Sequence, residues 1–284
     1  MNLEQETGTG MVPVFISSHQ SGLGRHKEDL LAVERALEIR LGCENSSPTD
    51  EVTFTLTMRT PGDDEALTAG LLLSEGIVEE AGQIRRIFPC KDNPDIMRAW
   101  VDDSVLPRWE RVQRRFVSTS SCGLCGKNGL SAVETGNCWS TPPMEWKVDS
   151  TLLDSLPAIL RQHQPGHDST GCMHACGLFN LEGELQSLKE DVGRHNALDK
   201  LLGRALLSGE LPLSDHLLVL SGRAGFEMIQ KASLAGIGLV VACGAPTSLA
   251  VELAQKSGIT LAGFAGRNSL NVYSVPERIK GILS

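Results

Sequence analysis

The chain has 284 residues, 41% hydrophobic and 21% charged, a globular composition with enough length for a real core. Its formal net charge of -9 argues against a general nucleic-acid binder, which needs a basic surface, but leaves room for a local patch that holds phosphate. No apolar run reaches the roughly 20 residues that span a bilayer, and the N-terminus lacks the basic-then-apolar pattern of a secretory signal. A cytoplasmic protein with mostly reduced thiols is expected, without membrane insertion.

In chain order, residues 1–28 are rich in Gly, Ser and Thr and read as a loose arm. Leu37–Leu41 and Phe54–Met58 alternate apolar and polar residues, which predicts two strands joined by the turn-rich CENSSPTDE. A helix over 27–41 is the other reading; the hairpin is preferred. Pro61 and Gly62 mark a turn, Asp63 or Asp64 can cap, and Glu65–Ser74 reads as a mostly buried helix that Gly76 stops. Residues 85–120 read as strand and loop. They include RWERVQRRF, whose Arg108, Arg111, Arg114 and Arg115 form either a solvated charged face or a positive field that activates nearby thiols. SSCGLCGK follows at 120–127, then a polar stretch with Pro142 and Pro143 that reads as a linker. These features make 29–148 a β-rich N-terminal region with a helix and a CxxC loop.

Residues 149–284 read as an α/β domain. A helix capped by Asp149 or Ser150 covers 150–162. CMHACGLFN and ELQSLKE form a hairpin around Asn180–Gly183. His195–Leu207 has helical spacing, and His216–Leu220, Phe226–Leu234, Leu239–Ala242, Thr247–Lys256 and Ile259–Ala262 alternate strand with helix. Such alternation predicts a parallel sheet flanked by helices, with ligands at the carboxyl ends of its strands. Those ends are Ser221–Arg223, Cys243–Thr247 and Gly263–Arg267, and helix N-termini there favour anions.

Cys122 and Cys125 admit three chemistries. Structural zinc wants four ligands, usually two CxxC-like pairs, and there is one CxxC here; Cys172, His174, Cys176 and Cys138 could supply more ligands. Positions 172, 174 and 176 share a strand face, which equally suits small buried residues. A thioredoxin-like pair sits at a strand–helix junction, whereas this one precedes the α/β region. A persulfide carrier needs an accessible thiolate: Gly123 and Gly126 free the loop, the arginines and Lys127 favour the thiolate, and a second thiol can release sulfur by disulfide formation. EDVGRHNALDKLLG, 190–203, is either the salt-bridged start of a helix or a site with Arg194, His195 and Lys200 against an anion.

Six stretches taken in order are TMRTPGDDEALTAGLLLSEGIV, SSCGLCGK, EDVGRHNALDKLLG, SGRAGFEMIQKA, APTSLAVELA and GFAGRNSLNVYS. Together they closely resemble the formate dehydrogenase accessory sulfurtransferase family, FdhD, over most of the chain from about residue 30. The resemblance implies that a cysteine desulfurase loads sulfur on Cys122, with Cys125 as partner. It implies delivery to the molybdenum or tungsten bis-(molybdopterin guanine dinucleotide) cofactor of formate dehydrogenase. The implied cofactor loop is Phe264, Ala265, Gly266, Arg267, Asn268 and Ser269. Arg223 and Arg267 are the expected charge donors, with Arg194 and His195 behind them. A homodimer, a C-terminal three-layer α/β domain resembling the cytidine deaminase fold, and no metal of its own are also implied. Ala175 stands where a deaminase carries its acid, and no PCxxC follows, so deamination is not expected. The alternative function is a non-catalytic cofactor-binding chaperone with a CxxC metal site.

Overall fold

A computed structural model describes residues 10–20, 23–43, 51–105, 146–266 and 269–282. Cys122, Cys125, the arginine cluster, Pro142, Pro143, Arg267 and Asn268 lie outside the described residues.

Over 11–20 and 23–28 the structure differs from the loose arm expected for residues 1–28. β1 (Met11–Gln20) runs antiparallel to β2 (Leu23–Ala32), with Met11 opposite Ala32. The physical reason is an apolar alternation within the Ser-rich stretch: Val12 and Val14 are buried. β3 (Arg35–Cys43) and β4 (Val52–Arg59) form the expected antiparallel pair, so the helical reading of 27–41 fails. With β5 (Ile84–Pro89) and β6 (Ile96–Val101) they build a sheet of order β4-β3-β6-β5. Leu37, Ile39, Leu41, Met97, Ala99 and Val101 point from it into the core. α1 (Asp64–Ser74) buries Leu67, Leu72 and Leu73 against that face. Gly76, at φ 69°, ends the helix as expected.

A second sheet has six strands in the order β13-β12-β11-β10-β8-β9. These are β8 (His174–Phe179), β9 (Leu185–Asp191), β10 (Leu217–Leu220), β11 (Leu239–Ala242), β12 (Thr260–Gly266) and β13 (Ser269–Ser274). Only β10, β11 and β12 are parallel; β8, which pairs with both β10 and β9, and β13 run antiparallel to their neighbours. The sheet is therefore mixed rather than parallel, because hairpins close both of its edges. Two short strands, β7 (Val148–Asp149) and β14 (Ile279–Lys280), pair beside it.

Helices cover both faces. α2 (Ser150–Gln162) puts Leu153, Leu156 and Leu160 on the face formed by Phe179, Leu217, Val219, Leu239 and Val241. α3 (Pro165–Thr170) follows it. α4 (Arg194–Leu207), α5 (Phe226–Leu234) and α6 (Ser248–Lys256) cover the other face, against Leu178, Leu218, Leu220, Val240 and Ala242. LLVL and LVVA carry no polar alternation because both of their faces are covered. No described helix is long and apolar enough to cross a membrane.

The two sheets share one core. α1 and α4 cross where Gly70 meets Asp199 and Gly203 meets Ala66. A Cβ on either glycine would lie 1.9 Å from a facing backbone oxygen. This contact joins the N-terminal sheet and its helix to the α/β layers.

Candidate functional site

The carboxyl ends of β10, β11 and β12 open on one edge, and strand direction brings the N-termini of three helices to it. β9 runs parallel to β10, since both are antiparallel to β8, so α4 starts at the same edge as α5 and α6. α4 and α5 begin at Gly193 and Gly225, with no side-chain cap on their first N–H groups. α6 differs: Thr247 accepts from the Ala250 N–H at 3.4 Å. Uncapped N-termini present donors and positive dipole ends, an arrangement suited to an anion.

The loops at this edge are laced by backbone. The Gly244 N–H donates to Gly222 O at 2.9 Å, and the Phe264 N–H donates to Gly244 O at 3.2 Å. A Cβ on Gly244 would sit 2.9 Å from the Arg223 backbone nitrogen, so only glycine lets these loops close up. Arg223 is exposed at the rim. Phe264 is 52% exposed with φ 54°, a left-handed conformation that costs a bulky residue roughly 1–3 kcal/mol. Ala265 is buried, Gly266 is half-buried at φ 135°, and Ser269 caps the reversal by donating to Gly266 O at 3.1 Å. These residues belong to β12 and the reversal into β13 rather than to a loop beyond the strand, and the pairing is irregular between Gly263 and Gly266.

EDVGRHNALDKLLG divides into two sets. Asp191, Asn196, Asp199 and Lys200 are buried and hold the two sheets together. Asp191 pairs with Lys200 at 2.8 Å and accepts from the Thr60 N–H at 3.1 Å; Lys200 also donates to Thr60 O at 2.8 Å. Asn196 donates to Met58 O at 2.7 Å. Asp199 takes Lys231 at 2.6 Å and the Ser74 hydroxyl at 2.6 Å. Lys200 is thereby committed to structure and not to an anionic ligand. The motif is salt-bridged as its plain reading says, but its partners lie far away in sequence.

Arg194 and His195 form the other set. The Arg194 Nε is buried and has no hydrogen-bond partner among the described residues, an orphan donor at the start of α4. His195 Nε2 lies 3.3 Å from Glu227 Oε2 in the first turn of α5. Burial pushes the His195 imidazole below its ordinary range; Glu227 opposes that shift, and Lys231 and Arg194 add to it.

The residues weighed for zinc do not converge. Cys172 is exposed and donates to the Thr170 hydroxyl, Cys176 is buried under α4, and His174 lies against Gly222. Among the described residues, no group of three or more His, Cys, Asp or Glu side chains gathers as a metal set. Burial pushes the Cys43, Cys176 and Cys243 thiols up, for Cys43 with help from Asp103 and Asp102, which leaves them poor nucleophiles. The staples from Thr57, Met58, Thr60 and Ser74 had no sequence signal, because their partners lie 125 to 140 residues away.

A family model described as the FdhD/NarQ family matches residues 34–280. The sulfur carrier protein FdhD of Streptomyces avermitilis is 47% identical over 263 residues, covering 89% of this chain and 90% of the relative. That of Corynebacterium efficiens is 40% identical, covering 93% and 95%. That of Sulfolobus acidocaldarius is 39% identical, covering 94% and 97%. A crystal structure described as a formate dehydrogenase accessory protein from Desulfotalea psychrophila superposes with a TM-score of 0.72. It is 25% identical in sequence and covers 95% of this chain and 99% of that one.

Proposed function

The chain belongs to the FdhD/NarQ family, and on that footing we propose that it is a cytoplasmic, homodimeric sulfurtransferase for formate dehydrogenase. Its relatives are named sulfur carriers over nearly their whole length, which supports the sulfur-transfer role. Sulfur enters at Cys122: the thiolate attacks the terminal sulfur of a cysteine desulfurase persulfide, a sulfur–sulfur bond forms, and the desulfurase thiolate leaves. Cys125 then attacks the Cys122 sulfur, closes a disulfide and releases the sulfane sulfur as sulfide, with both electrons coming from the two thiols. Alternatively, Cys125 relays the sulfur. The recipient is the bis-(molybdopterin guanine dinucleotide) cofactor of molybdenum or tungsten, handled as cargo.

The observation that carries the cargo site is the strand-end edge, where, among the described residues, two helix N-termini lack a side-chain cap and the Arg194 Nε lacks a partner. Arg223, Arg194 and Arg267 hold the phosphates, and Phe264–Ser269 line the guanine end. Arginine forks suit phosphate oxygens. The cytidine deaminase likeness is part of the same reading: it accounts for a three-layer scaffold that holds a nucleotide without deaminase chemistry.

The test is transfer itself. Protein loaded by a desulfurase and cysteine, freed of both, is mixed with a formate dehydrogenase whose cofactor lacks its sulfido ligand. Restored formate oxidation with wild type and none with Cys122→Ala is the expected result. Equal restoration by Cys122→Ala overturns the reading.

A further inference from the structure

By sequence His174 is a candidate metal ligand or a plain strand-face residue; its surroundings point to another use at the strand-end edge. It opens β8 beside the end of β10, where Leu220 pairs with Cys176. Its ring lies over Gly222 of the first strand-end loop: a Cβ there would sit 3.4 Å from Nδ1 and 3.6 Å from Cε1. Among the described residues neither ring nitrogen has a hydrogen-bond partner. Acceptors on two neighbouring residues already take other donors. Asp191, its cross-strand partner, holds Lys200, the Thr60 N–H and the Gly193 N–H. The Ser221 hydroxyl accepts from the Ala175 N–H at 2.9 Å.

The charged and titratable groups acting on the ring are Arg194 from α4 and His167 from α3. His167 spends its own Nδ1 on Met173 O at 2.9 Å. Burial first, then Arg194 and His167, push the His174 imidazole below its ordinary range. A half-buried imidazole beside a cation favours its neutral form, and an anion brought against the ring is what would favour the protonated one.

Resting on the cofactor-edge reading above, we propose that the His174 imidazole binds a phosphate oxygen of the nucleotide held at this edge, taking up a proton as it does so. The step moves one proton from solvent to the ring and forms one charge-assisted N–H···O bond. Nucleotide affinity therefore rises as pH falls toward the ordinary imidazole range.

Guanosine diphosphate serves as the probe. Calorimetric titration of wild type and His174→Gln at about pH 6 and about pH 8, in buffers of differing ionisation heat, reads affinity and proton uptake together. The variant is expected to bind roughly tenfold more weakly at the lower pH, with a smaller deficit at the higher pH and less proton uptake. NMR of the His174 ring in wild type gives a reading that needs no variant: it titrates at higher pH with the nucleotide than without. Wild-type binding with an unmoved His174 titration, or a variant equal to wild type, overturns this inference alone. A wild type that does not bind the nucleotide overturns the edge reading and this inference with it.

Discussion

Arg194 and Lys200 stand six residues apart in one motif and have opposite fates. Lys200 ends inside the protein on Asp191 and Thr60 O, whereas the Arg194 Nε is buried without a partner among the described residues at the anion-suited edge. Arg194→Ala and Arg223→Ala are each expected to weaken guanosine diphosphate binding about tenfold, read by calorimetry, while leaving the melting temperature nearly unchanged. Lys231→Met is expected to do the reverse. It strands Asp199, whose side chain is 1% exposed, and should cost about 3 kcal/mol in denaturant unfolding. From sequence the charges of EDVGRHNALDKLLG could not be sorted into these two roles. Asp199 meets Lys231 across 32 residues and Ser74 across 125, and no local pattern encodes such pairings.

At the scale of elements, periodicity was a faithful guide wherever burial was one-sided or complete. Leu37–Leu41 and Phe54–Met58 pair as the alternation predicts, and Phe226–Leu234 is helical over its predicted span. Composition misled at the N-terminus, where Ser and Gly content outweighed the alternation of Val12 and Val14 and a strand pair read as an arm. The α1–α4 crossing was also invisible, because a glycine within a helical pattern does not announce what approaches it. Gly70→Ala and Gly203→Ala are each expected to destabilise by about 3 kcal/mol or more, since backbone rather than a yielding side chain occupies the space. Denaturant midpoints check this; a variant as stable as wild type would mean that the helices do not cross at these glycines.

Across the whole molecule, one shared core lets the N-terminal sheet brace the α/β layers, so the edge that opens at β10–β12 is held by long-range contacts on α4. Two histidines at that edge, His174 and His195, lie below the ordinary imidazole range, chiefly through burial. The unfolded chain then binds more protons than the folded one as pH falls through about 6.5, so stability drops on acidification. Urea midpoints at about pH 7.5 and about pH 5.5 should show the loss, and His174→Gln should reduce it.

The order of motifs along the chain made the family legible, and strand–helix alternation already pointed to the carboxyl ends of β10–β12; the start of α4 joined that edge only once strand direction was known. Cys122 and Cys125 carry the central claim. After incubation with a cysteine desulfurase and cysteine, mass spectrometry of the peptide spanning 120–127 should show one added sulfur on Cys122, absent from Cys122→Ala. An unmodified wild-type peptide, or an equal adduct in the Cys122→Ala/Cys125→Ala double variant, would contradict it.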